Sequence, residues 1–257
     1  MRRAEPQLLD RTFAILELFD EDHREWSTTD IARASGLPTP TAHRILRSLR
    51  THRYVHQDPT TKRFALGSEA ISLGDRARAS SESRSVTAPV MRRLAKETHG
   101  TTVLWCVATN RDAGVCLHRV ASEDHAVLER FHTGLHAPLH AGAARKALLA
   151  FMPDHEVNTI LDRQLEKLCT ATITDPTALR RHLVEIRDRG WAMSREETEP
   201  GAWGVAVSIR DRGRVLASIG VAGSVEELSR TEMQRRLDLA RSAADELAEA
   251  IASVAPA

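Results

Sequence analysis

In the stretch Leu37 to Leu49, LPTPTAHRILRSL, two prolines stand directly before a run whose apolar residues recur at helical spacing. Proline is accepted in the first turn of a helix, where its missing N–H leaves no bond unmade, and is excluded further in. A helix must therefore start here, with Thr39 as its cap and Pro40 as its first residue. Upstream, Ser27 followed by Asp30 is a variant capping box that opens the short helix TTDIARAS. Gly36 closes that helix, because glycine takes the left-handed backbone without a Cβ penalty. Two helices separated by so short a turn form a tight helix-turn-helix.

In the second helix Ala42, Ile45, Leu46 and Leu49 follow the i, i+3, i+4, i+7 pattern and face a core. Arg44, Arg47, Ser48 and Thr51 then fall on the opposite side, with Thr41 and His43 on its flanks. The preceding run QLLDRTFAILELFD predicts an amphipathic helix buried through Leu9, Phe13, Leu16 and Phe19. After the second helix, YVHQD and RFALG joined by PTTK predict a hairpin with Lys62 and Arg63 at its tip. Together these elements describe a winged helix-turn-helix over residues 1–67.

Charge distribution agrees with a role at phosphate. The whole chain carries a net charge of only +1, yet Ser27 to Arg63 holds seven Lys/Arg against two acids, and the remaining residues carry an excess of acid. A small basic module on a mildly acidic body is the asymmetry expected of a nucleic-acid reader. Residues at the start of the recognition helix (Thr39, Thr41, His43, Arg44) are placed to approach bases, with Arg47 and Ser48 further along the same side and Lys62 and Arg63 on the backbone.

Residues 68–85 are polar and read as a linker helix, and residues 86–257 mix elements. A helix ends at Gly100. TTVLWCVATN and AGVCLHRVAS read as strands turning at Arg111 to Asp112, and AVLERFHTG as a third. Helices are predicted at Gly142 to Phe151, Pro153 to Leu165 and Pro176 to Arg189. GVAVSIRDRGRVLASIGVAG is a hairpin turning at Asp211 to Gly213, and a last helix opens with Ser229 and Glu232 and packs through Leu237, Ala240, Ala244, Leu247, Ile251 and Val254. The expected class is α+β, with a sensor-like mixed domain behind the winged helix.

Other chemistries find little support. Cys106, Cys116 and Cys169 lack C-x-x-C spacing and read as buried free thiols. His132, His136 and His140 are four apart, but Gly134 and Pro138 interrupt any helix that would align them, so no metal site is expected. There is no G-x-S-x-G, P-loop or H-E-x-x-H, and Glu196, Glu197 and Glu199 read as solvated acids without a basic partner, so neither catalysis nor a cofactor is expected. No apolar run is long enough for a membrane span and Met1 to Asp10 lacks a secretory signal, which predicts a cytoplasmic protein.

The order of motifs resembles a known family. Leu37-Pro38-x-x-Thr41-x-x-Arg44-Ile45-Leu46-x-x-Leu49, then Tyr54-Val55 and Phe64-x-Leu66-Gly67, is similar to the N-terminal domain of IclR-family bacterial transcription regulators. LHAPLHAGAARKALLAF, GWAMSREETEPGAWGVAVSIRD and VLASIGVAG resemble segments of that family's effector domain. The resemblance implies a winged helix over 1–67, a linker helix over 68–85 and a GAF-like effector and oligomerisation domain over 86–257. It also implies homodimers or dimers of dimers, a palindromic operator read by the 39–53 helix and the 59–63 wing, and repression relieved or imposed by a small molecule. By the same resemblance the effector site falls at Trp105, His118, Ala141, Gly142, Ala143, Ser194, Trp203, Gly204, Gly220 and Ala222.

The sequence departs from the family at this site. Arg145-Lys146 replaces the usual Gly-Lys, Ser194 stands at an acidic position, Gly204 at a Cys, and Gly220 and Ala222 at hydroxyl positions. Fewer hydroxyls, with Trp105 and Trp203 at hand, favour an aromatic or apolar effector over a small oxyacid. The alternatives are a C-terminal domain that serves only oligomerisation and binds no effector, and a winged helix that makes only protein contacts.

Overall fold

The computed structural model describes residues 7–20, 23–79, 82–99, 101–109, 113–121, 132–227 and 229–254. The chain divides into two compact units, Met1–Ser81 and Glu82–Ala257.

The first unit contains α1 (Gln7–Leu16), α2 (Thr28–Ser35), α3 (Thr39–Thr51), β1 (Val55–Gln57), β2 (Phe64–Leu66) and α4 (Ser68–Ala79). Ser27 caps α2 by accepting from the Asp30 N–H at 3.1 Å, and its hydroxyl donates to the Asp30 carboxylate at 2.7 Å. Gly36 is left-handed, and the N–H groups of Gly36 and Leu37 close α2 onto Arg33 and Ala32. Helix α3 begins one residue earlier than the capping argument predicts: Pro38 is the cap residue, no side chain caps the helix, and Thr39 is already helical. Proline fixes φ near the value a helix entry needs, so the Pro38 backbone sets the start that the Thr39 hydroxyl was expected to set.

Ala42, Ile45, Leu46 and Leu49 of α3 pack with Ile31, Ala32, Val55 and Phe64 in one core. The expected burial of α1 needs correction. Ile15 is its fully buried residue, with Leu16, Leu18 and Phe19 packed around it, while Leu8, Leu9 and Phe13 are each more than half exposed. The wing is held at its base by a bridge that the hydrophobic pattern did not reveal. Trp26 and Phe64 exchange both backbone hydrogen bonds, 2.9 and 2.8 Å, and the Trp26 indole N–H donates to the Leu18 carbonyl at 2.8 Å. Gly67 is required where the wing leaves: a Cβ there would lie 2.2 Å from the Arg53 carbonyl oxygen.

The second unit is built on a six-stranded antiparallel sheet of order β5-β4-β3-β8-β7-β6. Its strands are β3 (Thr102–Ala108), β4 (Ala113–Ala121), β5 (His136–Pro138), β6 (Ala192–Arg195), β7 (Ala202–Asp211) and β8 (Arg214–Ser224). Helices α5 (Glu82–Glu97) and α9 (Arg230–Val254) cover one face. Helices α6 (Ala143–Leu149), α7 (Asp154–Leu161) and α8 (Pro176–Arg189) belong to the other. The alternation of each strand separates two cores: Leu104, Cys106, Ala202, Ala206 and Ala222 point to the α6 side, and Val103, Trp105, Trp203, Val205, Ile219 and Val221 to the α9 side. Residues 82–85 are the first turn of α5. The β7–β8 hairpin turns on Arg212 and Gly213, both at positive φ, as the two-residue turn requires.

Three further differences follow from local geometry. The third strand expected at AVLERFHTG lies mostly outside the described residues, and its end, 132–134, is a turn. Beyond it His136–Pro138 pairs with β4 as an edge strand, where Pro138 needs no ladder N–H. Helices α6 and α7 are shorter than expected: α6 ends at Leu149 with Ala150 as its cap, and α7 at Leu161 with Asp162 as its cap. The final helix starts as predicted, the Ser229 hydroxyl accepting from the Glu232 N–H at 3.1 Å. The Glu232 carboxylate, however, pairs with Arg235 and Arg236.

Candidate functional site

The exposed side of α3 carries Thr39, His43, Arg44, Arg47 and Ser48, with Thr41 half-buried at its flank. The outer face is set by the inner one: four buried apolar residues at helical spacing leave these positions to solvent. The side chains of His43, Arg44 and Arg47 make no hydrogen bond or ion pair among the described residues. Other cations nearby are engaged. Arg50 donates to the Gln57 side chain at 2.8 Å, Gln57 donates to the Lys62 carbonyl at 2.9 Å, and Arg63 donates to the Glu25 carbonyl at 3.3 Å.

These bonds stiffen the wing and leave the ammonium of Lys62 at its tip, where the backbone is left-handed. The Asp58 carboxylate caps the turn by accepting from the N–H groups of Thr61 and Thr60, and these bonds hold its pKa below the usual carboxylate value. The result is an exposed polar helix face and a basic wing tip carried by one compact unit.

In the second unit a small pocket lies between the start of α6 and the sheet, with a cavity of about 30 Å³, room for a water or two. Gly142, Ala143, Ser194, Trp203, Gly204, Gly220 and Ala222, all singled out from the sequence, border it. Ala141 is buried beside it and does not line it. Trp105 and His118 do not line it either. Trp105 sits in the core under α9, and His118 lies opposite it across the β3–β4 ladder. The Trp203 ring belongs to the same α9-side core, with the Arg236 guanidinium 5.3 Å from its centre. The argument from two tryptophans to an aromatic effector therefore loses its basis: strand alternation turns both rings into the core behind the sheet.

The structure adds Cys106, Cys116, Arg145 and Thr198 to the lining. A bulge at Leu117 shifts the β4 register so that Cys116 faces Cys106 directly. All three cysteines are free; Cys106 and Cys116 are buried, and Cys169, expected to be buried, is half-buried. The Cys106 and Cys116 thiols share a hydrogen bond that holds Cys116 below the ordinary thiol pKa and pushes Cys106 above it.

The acids of the EETEP segment also need correction. Glu197 is buried and paired with the ammonium of Lys146, which is itself fully buried, and the second Glu197 oxygen accepts from the Gly142 N–H at 3.1 Å. Lys146 further donates to the Met193 carbonyl at 2.9 Å and to His182 Nε2 at 3.1 Å. No sequence window joins residues 146, 182 and 197, so only the tertiary fold pairs them. His140 is buried and tied to the Glu166 carbonyl at 2.8 Å. Among the described residues no three His, Cys, Asp or Glu side chains are grouped to hold a metal.

A winged helix-turn-helix joined to a sheet domain that holds a small pocket defines a DNA-binding transcriptional regulator with a sensing domain. Comparison with known proteins gives the particular family. Residues 8–59 match the IclR helix-turn-helix domain, and residues 77–249 match the family described as bacterial transcriptional regulator IclR C-terminal. This chain belongs to the IclR family of bacterial transcriptional regulators.

Among its relatives, the glycerol operon regulatory protein of Streptomyces griseus is 33% identical over 86% of each chain. The transcriptional repressor IclR of Escherichia coli is 28% identical over 87% of this chain and 82% of its own. A solved IclR homolog from Microbacterium hydrocarbonoxydans, complexed with 4-hydroxybenzoate, superposes with a TM-score of 0.76 at 25% identity, covering 94% of this chain and 98% of its own. The two curated relatives are named as regulators. Among the described residues no helix is long and apolar enough to cross a membrane.

Proposed function

We propose that this protein is a homo-oligomeric, ligand-responsive repressor that reads a palindromic operator with the 39–53 helix and the 59–63 wing and senses a small molecule in the α6 pocket. The observation that carries the DNA half is the uncommitted state of His43, Arg44 and Arg47 on the exposed side of a helix whose other side is fully packed. Polar and cationic side chains without intramolecular partners on an exposed helix face are available to bases and phosphate. A two-fold oligomer would make the operator symmetric.

Support for repression comes from a relative named a transcriptional repressor. Support for an effector in the second unit comes from the pocket itself and from the relative complexed with 4-hydroxybenzoate. Oligomerisation is supported by the exposed Leu8, Leu9 and Phe13 on α1.

The test is to retain fragmented genomic DNA from the source organism on the purified protein at near-physiological salt and sequence what is held. Enrichment of one or a few inverted repeats is expected. Retention without sequence preference would refute operator reading and leave only a basic patch.

A further inference from the structure

Arg145 is the unusual residue of the pocket. It stands on α6 where the resemblance leads one to expect glycine, it is 4% exposed, and its guanidinium meets no acid. Its Nε is buried without a hydrogen-bond partner, and no hydrogen bond or ion pair to any of its nitrogens is present among the described residues. The nearest carboxylate chemistry is already used, since Glu197 is held by Lys146 and by the Gly142 N–H. Nearby, Cys106 and Cys116 face each other as free thiols, and Cys116 donates to the His118 carbonyl at 3.3 Å. A second guanidinium, that of Arg119, faces the same side opposite Leu104, and its Nε is likewise buried and unpartnered.

Two glycines make room for the side chain. A Cβ on Gly114 would lie 3.0 Å from Arg145 Cγ, and one on Gly142 would lie 3.3 Å from Arg145 Nη1. Arginine stays charged in proteins, and burying a charge without a partner is costly. A buried guanidinium in a mostly apolar pocket is therefore half of an ion pair whose other half comes from outside the chain. Its planar fork of donors fits the two oxygens of a carboxylate.

We infer that Arg145 anchors the acid group of a small organic carboxylate, and that the apolar wall of Leu104, Ala143, Ala202 and Ala222 receives its body. This rests on the reading of the α6 pocket as an effector site, and it reverses the expectation that lost hydroxyls disfavour an acid. The donors that the strands lack are supplied by the helix.

The test uses the full chain, its Arg145→Met and Arg145→Lys variants, and two matched probe pairs, isobutyrate with isobutyramide and benzoate with benzamide, read by thermal unfolding and calorimetry. The expected result has three parts. Without ligand, Arg145→Met unfolds at a temperature equal to or above that of the parent, because an unpaired buried charge is gone. The parent binds each acid about 10- to 100-fold more tightly than its amide. Arg145→Met loses that preference, and Arg145→Lys keeps part of it.

Amides binding as well as acids would overturn the anchor and leave the effector site standing. Failure of both acids and amides to bind would overturn the anchor, and the effector reading with it if a metabolite extract also fails to shift unfolding. A ligand-free Arg145→Met protein that is strongly destabilised, with acid preference retained, would make Arg145 a structural residue and refute the inference.

Discussion

Lys146 on α6 and Glu197 in the β6–β7 loop form an ion pair with both side chains buried, and the free carboxylate oxygen accepts from the backbone of Gly142. The pair fixes the start of α6 against the loop, and both elements border the pocket. Removing one partner leaves the other charge buried and uncompensated, which costs about 3–5 kcal/mol. Lys146→Met and Glu197→Gln should each lower stability by about that amount in urea unfolding. The double variant Lys146→Met/Glu197→Leu should lose much less than the sum of the single losses, since no orphan charge remains. Additive losses would show that the two residues act separately.

His182 gives the second unit a pH dependence. Burial first, then Lys146 and Arg189, push its pKa down from 6.5 to about 4, against a weaker pull from Glu185. In the neutral form Nε2 accepts from Lys146, and a proton there would remove that acceptor and set two cations side by side. The unfolded chain takes the proton near pH 6.5 and the folded chain only near 4. The contribution to stability is therefore complete above 6.5, shrinks as pH falls towards 4, and is constant below that. Unfolding temperature measured from pH 7 to 4 should fall less steeply in His182→Gln than in the parent, and parallel curves would exclude His182 as the source.

On the recognition helix, Arg44→Ala and Arg47→Ala should leave the unfolding temperature unchanged, because both side chains are exposed and unpaired. Each should weaken binding to a retained genomic site by about 1–3 kcal/mol. Lys62→Ala should instead weaken specific and non-specific DNA alike and reduce the slope of log affinity against log salt by about 1. Titrations at three salt concentrations separate the two behaviours.

Helix α1 should mediate self-association. Leu8, Leu9 and Phe13 are 53%, 53% and 55% exposed, an apolar cluster that a single chain leaves in water. Phe13→Lys should lower the oligomeric state seen by sedimentation while the chain remains folded, because Phe13 contributes little to its own core. An unchanged sedimentation coefficient would place the interface elsewhere.

The sequence alone determined those features that depend on neighbours along the chain. Pro38 and Pro40 can only start a helix, Gly36 can only end one cheaply, and the spacing of Ala42, Ile45, Leu46 and Leu49 fixes which side of α3 is left to solvent. Gly142, Gly204 and Gly220, which border the pocket, were indicated by the family resemblance and by no local pattern.

Tertiary structure decided what depends on register and distance. A single bulged residue, Leu117, brings Cys116 opposite Cys106. Strand alternation turns Trp105 and Trp203 away from the pocket, and fold topology joins Lys146 to Glu197 and leaves Arg145 without a partner. Helical periodicity is read within a few residues. The pairing of buried charges is set by whichever segments the sheet brings together, and no local pattern encodes that.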